Sequence, residues 1–182
     1  MALVAGCQGR TSTEEAPPAP RAIEVHDASG KLTARVVPGH PCRATVDGVE
    51  LLVGGRPLIA QVGEVRWSGD DDKTGTTLRK DGVAVARIFP AEVLPGAVDV
   101  IDPQGIALLR VKAAGDSAPI VSASGAVERV AKRTPKGISV GDVTVTGTDD
   151  LLLAALLTAP EAGAEVRGLA ACHRLLPIVR GF

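Results

Sequence analysis

Aromatic side chains are almost absent from this chain, whose 182 residues include two Phe, one Trp and no Tyr. Proteins that stack nucleic-acid bases, enclose quaternary amines or form aromatic-rich interfaces depend on such side chains. These kinds of binding site are therefore poorly provided for. An excess of positive charge is also missing, because 20 Lys and Arg oppose 21 Asp and Glu, for a formal net charge of -1. We accordingly expect no nucleic-acid partner.

The common sequence motifs of catalysis and cofactor binding are lacking too. The chain has no G-x-S-x-G motif, no P-loop and no dinucleotide-binding glycine pattern after a strand. His26, His40 and His173 lack the spacing of a metal-binding pair. Cys172 and His173 are adjacent, so on a helix they point about 100° apart. The sequence therefore predicts a protein that is not an enzyme and needs no cofactor; a hydrolase with a dispersed active site is the less favoured alternative.

The amino terminus carries the most specific local signal. Leu3-Val4-Ala5-Gly6-Cys7 resembles the lipobox of bacterial lipoproteins, with small residues directly before the cysteine. The resemblance implies that the Cys7 thiol carries a diacylglyceryl group and that Cys7 becomes the first residue of the mature chain. Six residues precede Cys7, so a complete signal peptide requires a start further upstream. If the match is accidental, the segment is a disordered start with a chance cysteine and the protein is cytoplasmic.

The segment after Cys7 is rich in Thr, Glu and Pro and has few residues that a core would accept. Residues 1–21 are therefore predicted to be a truncated signal and lipobox followed by a Pro-rich tether. The longest strongly apolar run, Leu151–Leu157, is far shorter than the ~20 residues of a membrane-spanning helix. Membrane attachment is thus expected through the lipid alone, with the domain in the periplasm or at the surface of the bacterial envelope.

Residues 22–147 contain short segments in which apolar and polar residues alternate, separated by turn residues, as is typical of short strands joined by tight turns. Asp27–Gly30 and Asp47-Gly48 predict hairpin turns, and a single long strand is expected over residues 138–146. A Gly-x4-Arg pattern recurs after Asp-containing turns, which indicates repeated hairpin chemistry without a fixed period. Its occurrences are Gly30/Arg35, Gly82/Arg87 and Gly105/Arg110.

Residues 148–182 change to a helical pattern. Thr148 or Asp149 is expected to cap a first helix over Leu151–Leu157. Thr158-Ala159-Pro160-Glu161 resembles a capping box, which predicts a second helix from Pro160 to Leu176. The fold class is therefore mainly β, built of antiparallel hairpins in a sandwich-like or barrel-like arrangement. A C-terminal α-helical hairpin packs on one face of this sheet, so the protein is α+β overall.

Two groups of residues are candidates for a cation site and a covalent cross-link. Asp70, Asp72 and Thr74 alternate along the chain and are followed by Gly75, with Asp81 at the twelfth position, a partial match to a calcium loop. The alternative is a solvated turn. Cys42 and Cys172 remain once Cys7 is set aside, and they either form a disulfide or are buried free thiols, a reactive thiol being the third possibility.

The function expected from these features is that of an envelope-anchored, non-catalytic interaction or structural lipoprotein. Its partner would be another envelope protein, which contacts loops or an edge strand of the β domain. The alternative is an accessory protein that binds a small molecule or a cation, either through residues 70–75 or in the interior of the sheet.

Overall fold

The computed structural model describes residues 21–55, 57–89, 96–121 and 123–176. In these ranges fourteen strands form one antiparallel sheet that closes on itself as a barrel. The strands are β1 (Ile23–His26), β2 (Leu32–Val37), β3 (Cys42–Val46), β4 (Val49–Gly54), β5 (Ile59–Val62), β6 (Val65–Asp71), β7 (Thr76–Lys80), β8 (Val83–Phe89), β9 (Ala97–Ile101), β10 (Ala107–Lys112), β11 (Ser117–Val121), β12 (Val127–Thr134), β13 (Gly137–Val140) and β14 (Val143–Thr146).

Each strand pairs with its neighbours in the chain, and the last strand closes the barrel against the first. Val25 of β1 lies opposite Val145 of β14 on one side and Ala34 of β2 on the other. The predicted mainly β, α+β fold is therefore confirmed, and of the two arrangements expected it is the barrel. Closure leaves the sheet without an unpaired edge strand.

Alternate side chains of each strand face the interior. In β3, Cys42, Ala44 and Val46 are buried, whereas Arg43 and Thr45 are exposed. A half-buried strand needs this period of two, and the sequence provides it with apolar residues on one side only. The apolar core therefore lies inside the barrel.

The C-terminal helices fill that interior. They are α1 (Leu151–Leu157) and α2 (Ala164–Leu175), separated by a 3₁₀ turn at Pro160–Ala162. All seven residues of α1 are buried, as expected of a helix that is apolar on every side. A disulfide joins Cys172 of α2 to Cys42, which belongs to the buried side of β3. The face of the sheet that the helical hairpin covers is thus the inner face of the closed barrel.

The barrel has two ends. The odd-numbered strands run toward one end, and the even-numbered strands return from it. We call the first the turn end and the other the loop end. The described residues of the turn-end connections are 27–31, 47–48, 63–64, 81–82, 102–106, 123–126 and 141–142. Those of the loop-end connections are 38–41, 55, 57–58, 72–75, 96, 113–116, 135–136 and 147–150.

The helices run between these two ends. The Arg133 guanidinium, near the loop-end terminus of β12, donates to the Asp149 carbonyl just before α1 at 3.2 Å. The Arg129 guanidinium, near the turn-end start of the same strand, donates to the Thr158 carbonyl just after α1 at 2.5 Å. Helix α1 therefore rises from the loop end to the turn end, and α2 returns.

Three local expectations were wrong. Residues 138–146 are not one strand, because a turn at Gly141-Asp142, where Gly141 has φ 62°, divides them into β13 and β14. The cap of α1 is Asp150, whose carboxylate accepts from the N–H groups of Leu152 and Leu153. The second helix begins only at Ala164, because the 3₁₀ turn ends at Gly163 with φ 71°.

We predict that Leu153→Ala lowers the free energy of unfolding by about 2–5 kcal/mol, because it leaves a cavity in a filled interior. Leu153 is 1% exposed. Leu52→Ala, at a leucine 47% exposed on the outer wall, should change it by less than about 1 kcal/mol. Chemical denaturation of the two variants measures the difference. Equal effects would contradict a barrel filled by α1.

Candidate functional site

The residues expected to form a cation loop are not brought together. Asp70 pairs with Arg79, whose Nε lies 2.6 Å from its carboxylate. Asp72 and Thr74 share the loop-end turn between β6 and β7. Asp81 lies beyond β7, at the turn end, where its carboxylate accepts from the Arg66 N–H. Among the described residues, no group of three or more His, Cys, Asp or Glu side chains could hold a metal ion.

The Asp72 carboxylate organises its own turn. It accepts from the Thr74 N–H at 2.8 Å and from the Gly75 N–H at 3.1 Å. Nη2 of Arg87 donates to its other oxygen at 2.6 Å. The Arg87 hydrogen bond, together with those from Thr74, holds the pKa of Asp72 well below its usual range. The negative charge of Asp72, which the predicted cation site would have used, thus stabilises the hairpin turn instead.

The disulfide lies in the buried interior toward the loop end, next to a polar cluster. Cys42 and Cys172 have Cα atoms 5.8 Å apart and are separated by 130 residues in sequence. Beside them the Thr76 hydroxyl donates to the Asp71 carboxylate at 2.6 Å and contacts Nε2 of His173 at 2.9 Å. Since the hydroxyl proton goes to Asp71, Nε2 of His173 is the donor to Thr76. This cluster fixes the last turn of α2 against the wall.

Two arginines hold the helices at the turn end. Arg167 is 7% exposed; it donates to the Leu157 carbonyl at 3.0 Å and pairs with Asp47 in the β3–β4 turn. Arg129 binds both carboxylate oxygens of Glu161, at 2.7 and 2.8 Å. Arg167 at Leu157 and Arg129 at Thr158 bind carbonyls that the end of α1 leaves without helical partners. The two guanidinium groups therefore have a structural role: they hold the helix ends against the barrel wall.

The inward orientation of Arg129 and Arg167 was not predicted from the sequence. Arg129 lies in a locally polar stretch, whereas Arg167 lies among largely apolar residues, and the signal for both is their spacing from buried neighbours. Arg129 is two residues from the buried Ala131 on the same strand, and Arg167 falls between Val166 and Leu169 on α2.

The remaining surface with a distinct chemistry is the turn end. Six of its seven connections contain an acidic residue, namely Asp27, Asp47, Glu64, Asp81, Asp102 and Asp142. The single basic residue in these connections is Lys31. At Asp102, backbone N–H groups of Gln104 and Ile106 bind the carboxylate at 2.9 and 2.8 Å. At Asp27, a hydrogen bond from the Ser29 hydroxyl lowers the pKa.

Exposed apolar side chains collect at the same end. The described part of the chain has six large apolar residues that are exposed. Four of them directly follow turn-end connections or end one, and each lies at or within two residues of a register shift in its hairpin: Leu32, Val83, Ile106 and Val127. β-Bulges at a barrel rim redirect side chains, so the sequence places apolar groups outward around an acidic rim.

The recurring Gly-x4-Arg pattern belongs to these hairpins. Its arginines lie on the outer wall opposite polar partners of the preceding strand: Arg35 faces Glu24, Arg87 faces Thr77 and Arg110 faces Asp99. The Arg110 Nε lies 2.8 Å from the Asp99 carboxylate. The repeat is therefore a structural device of the wall.

Shallow depressions lie on the outside of the barrel near the turn end. One of about 490 Å³ is lined by Leu32, Arg35 and Asp47, among others. Another of about 380 Å³ lies beside Ile101 and Asp102.

Cys7, the predicted lipidation site, falls outside the described residues. Within those residues, neither helix has the length and apolar character needed to cross a membrane.

Comparison of the chain with protein-family models, with curated proteins and with solved structures finds no match in any of the three.

We predict that the disulfide is detectable by thiol counting in the full chain carrying Cys7→Ser. Unfolded without reductant, this variant should show no reactive thiol, and after reduction it should show both Cys42 and Cys172. Because the bond closes a long loop, its reduction should lower the free energy of unfolding by about 2–5 kcal/mol. A further variant with Cys42→Ala and Cys172→Ala should be insensitive to reductant. Reactive thiols in the unreduced chain would refute the cross-link.

We predict that Arg87→Gln raises the pKa of Asp72, because the main contact that favours its carboxylate is lost. A carboxyl whose folded-state pKa is lowered stabilises the fold above its unfolded-state pKa, and this contribution disappears as the pH falls through the folded-state value. The pH-dependent stability difference between the two proteins should therefore vanish in strong acid. Carboxyl ¹³C NMR titration measures the pKa, with Arg35→Gln as the control. An unchanged Asp72 titration would contradict the assignment.

Proposed function

We propose that this protein is a non-catalytic interaction module anchored to the bacterial envelope by a lipid on Cys7. The observation that carries the proposal is the filled barrel. Leu151–Leu157 and most of α2 occupy the interior, so the groups that remain for recognition are on the outer surface. A small molecule bound inside the sheet, as in the alternative function, would have to displace the protein's own helices.

The disulfide supports export. Cys42 and Cys172 are fully buried and joined, and such cross-links persist in oxidising compartments, the bacterial periplasm included. This agrees with the lipobox resemblance and weighs against a cytoplasmic location.

The topology gives the proposed anchor a direction. Strand β1 starts at the loop end, at Ile23, so the tether joins the barrel there. The stretch from Cys7 to Ala22 spans about 50 Å at most. The turn end is then the end of the barrel opposite the point where the tether joins. A closed sheet offers no edge for strand addition, so the partner would contact turns and side chains.

We predict that the full chain, expressed in a bacterium with its native upstream region, is released from membranes by detergent but not by high salt. Acyl-chain burial is not screened by salt. Cys7→Ala should make the protein soluble. Fractionation with intact-mass analysis measures both, and a soluble wild-type chain without a lipid mass would overturn the anchoring.

The same cells test the interaction. A photo-crosslinking amino acid at Gln104, exposed in a turn-end connection, should join the protein to another envelope protein. The matched position is Lys136, exposed at the loop end, where we expect little cross-linking. Equal yields at the two positions, or none at Gln104, would refute display of the turn end.

A further inference from the structure

We propose that one arc of the turn end is a docking surface for a basic, amphipathic segment of a partner protein. The arc consists of three apolar residues, Val83, Ile106 and Val127, with the acidic residues Asp81, Asp102 and Glu128. This inference rests on the proposed function and adds the chemistry of the partner.

The apolar part of the arc is built from three successive hairpins, whose turns differ in length. Val83, Ile106 and Val127 are 69%, 55% and 58% exposed, and they begin or immediately precede β8, β10 and β12. These are alternate strands of the barrel, so successive residues are about 10 Å apart across the sheet, and the strand registers offset them by a further three to four residues along it. The three large exposed side chains therefore form an oblique stripe along the rim. Such a stripe suits a segment that presents apolar residues at regular intervals.

Each apolar residue has an acidic neighbour. Asp81 precedes Val83, Asp102 precedes Ile106, and Glu128 follows Val127. The Asp81 and Asp102 carboxylates are held in place by backbone N–H groups, through one oxygen each. No described Lys or Arg forms an ion pair with these three acidic side chains. The arc therefore carries a negative charge beside each apolar residue, and at two of the three the carboxylate is held in place.

Three nearby cations are engaged elsewhere. Lys80 lies over the Trp67 ring at 5.7 Å and 4.0 Å from the Glu165 carboxylate. Arg79 pairs with Asp70, and Arg129 turns inward to Glu161. Arg66, whose backbone N–H binds the Asp81 carboxylate, is a further exposed cation beside the arc, so the remaining complementary charge would come from another molecule. Lys or Arg side chains that flank apolar residues supply it.

A second copy of this chain is a poorer occupant. Two arcs placed face to face would oppose acidic groups to one another, which disfavours a symmetric contact. A basic segment brings both complementary charge and apolar surface, so it is the occupant that the arc fits.

The test uses the full chain carrying Cys7→Ser with labelled Ile and Val methyl groups. The probe is a synthetic peptide of alternating Leu and Lys, and the matched peptide replaces Lys by Glu. We expect the Leu–Lys peptide to shift the methyl signals of Val83, Ile106 and Val127, and the Leu–Glu peptide to leave them unchanged. Absence of binding, equal binding of both peptides or shifts centred elsewhere would overturn the proposal.

Variants distinguish peptide binding at the arc from nonspecific electrostatic attraction of the peptide to the protein. Asp81→Asn, Asp102→Asn and Glu128→Gln together should weaken binding about 10-fold, since several exposed pairs add to roughly one such factor. Asn also tolerates the positive φ of Asp81. Asp142→Asn is the control for charge at another turn, and Ile106→Thr is matched by Ile59→Thr on the outer wall. Equal loss with the controls would overturn the assignment, provided that thermal unfolding shows all variants folded.

The outcomes also separate this inference from the function on which it rests. Cross-linking at Gln104 without peptide binding would leave the interaction module standing and remove the basic segment. Peptide binding by a protein that is neither anchored nor cross-linked in cells would support the basic segment as ligand and refute the envelope-anchored interaction module. Concentration-dependent self-association that shifts the arc signals would assign it to a second copy and overturn the proposal.

Discussion

Packing of two helices inside a closed sheet is the constraint on which the rest of this structure depends. A fourteen-strand barrel is too wide for wall side chains alone to fill, since barrels of about eight strands already approach that limit. Helix α1 supplies bulk with five leucines and two alanines in seven residues. Because it is apolar on every side, it is stable only where every side is covered. Wall and helices therefore require each other.

A buried helix also needs partners for its terminal backbone groups, and this explains the polar residues of the interior. Asp150 caps the N-terminus of α1 and is itself bound by Arg174 of α2 at 2.6 Å. At the opposite end, Arg167 and Arg129 bind the Leu157 and Thr158 carbonyls. An unsatisfied buried carbonyl costs about 1–3 kcal/mol. The interior cations are thus consequences of placing helix ends inside a barrel.

The features predictable from sequence are those set by neighbours in the chain. Asp47-Gly48 defines a hairpin because both residues adopt positive φ, 49° and 81°. The division of residues 138–146 was missed because Gly141-Asp142 interrupts an otherwise continuous alternation with a turn of only two residues. Closure could not be predicted, since the pairing of β1 with β14 joins segments at opposite ends of the folded chain. For the same reason, the spacing of Arg129 from the buried Ala131 indicates that Arg129 faces inward but does not indicate that it binds a helix end.

The closed wall also determines where recognition can occur. On its outside, cross-strand pairs such as Arg110 with Asp99 make the strands polar, and closure removes the edge to which a partner strand would add. Apolar side chains are exposed where the alternation of inward and outward residues is broken. In three of the four hairpins that carry such a residue at the turn end, the register shift lies within the first few residues of β8, β10 or β12. A bulge changes which face a residue occupies, so a side chain of the alternating pattern emerges at the rim. The irregularity that ends regular pairing is therefore the same one that brings apolar groups beside the acidic turns.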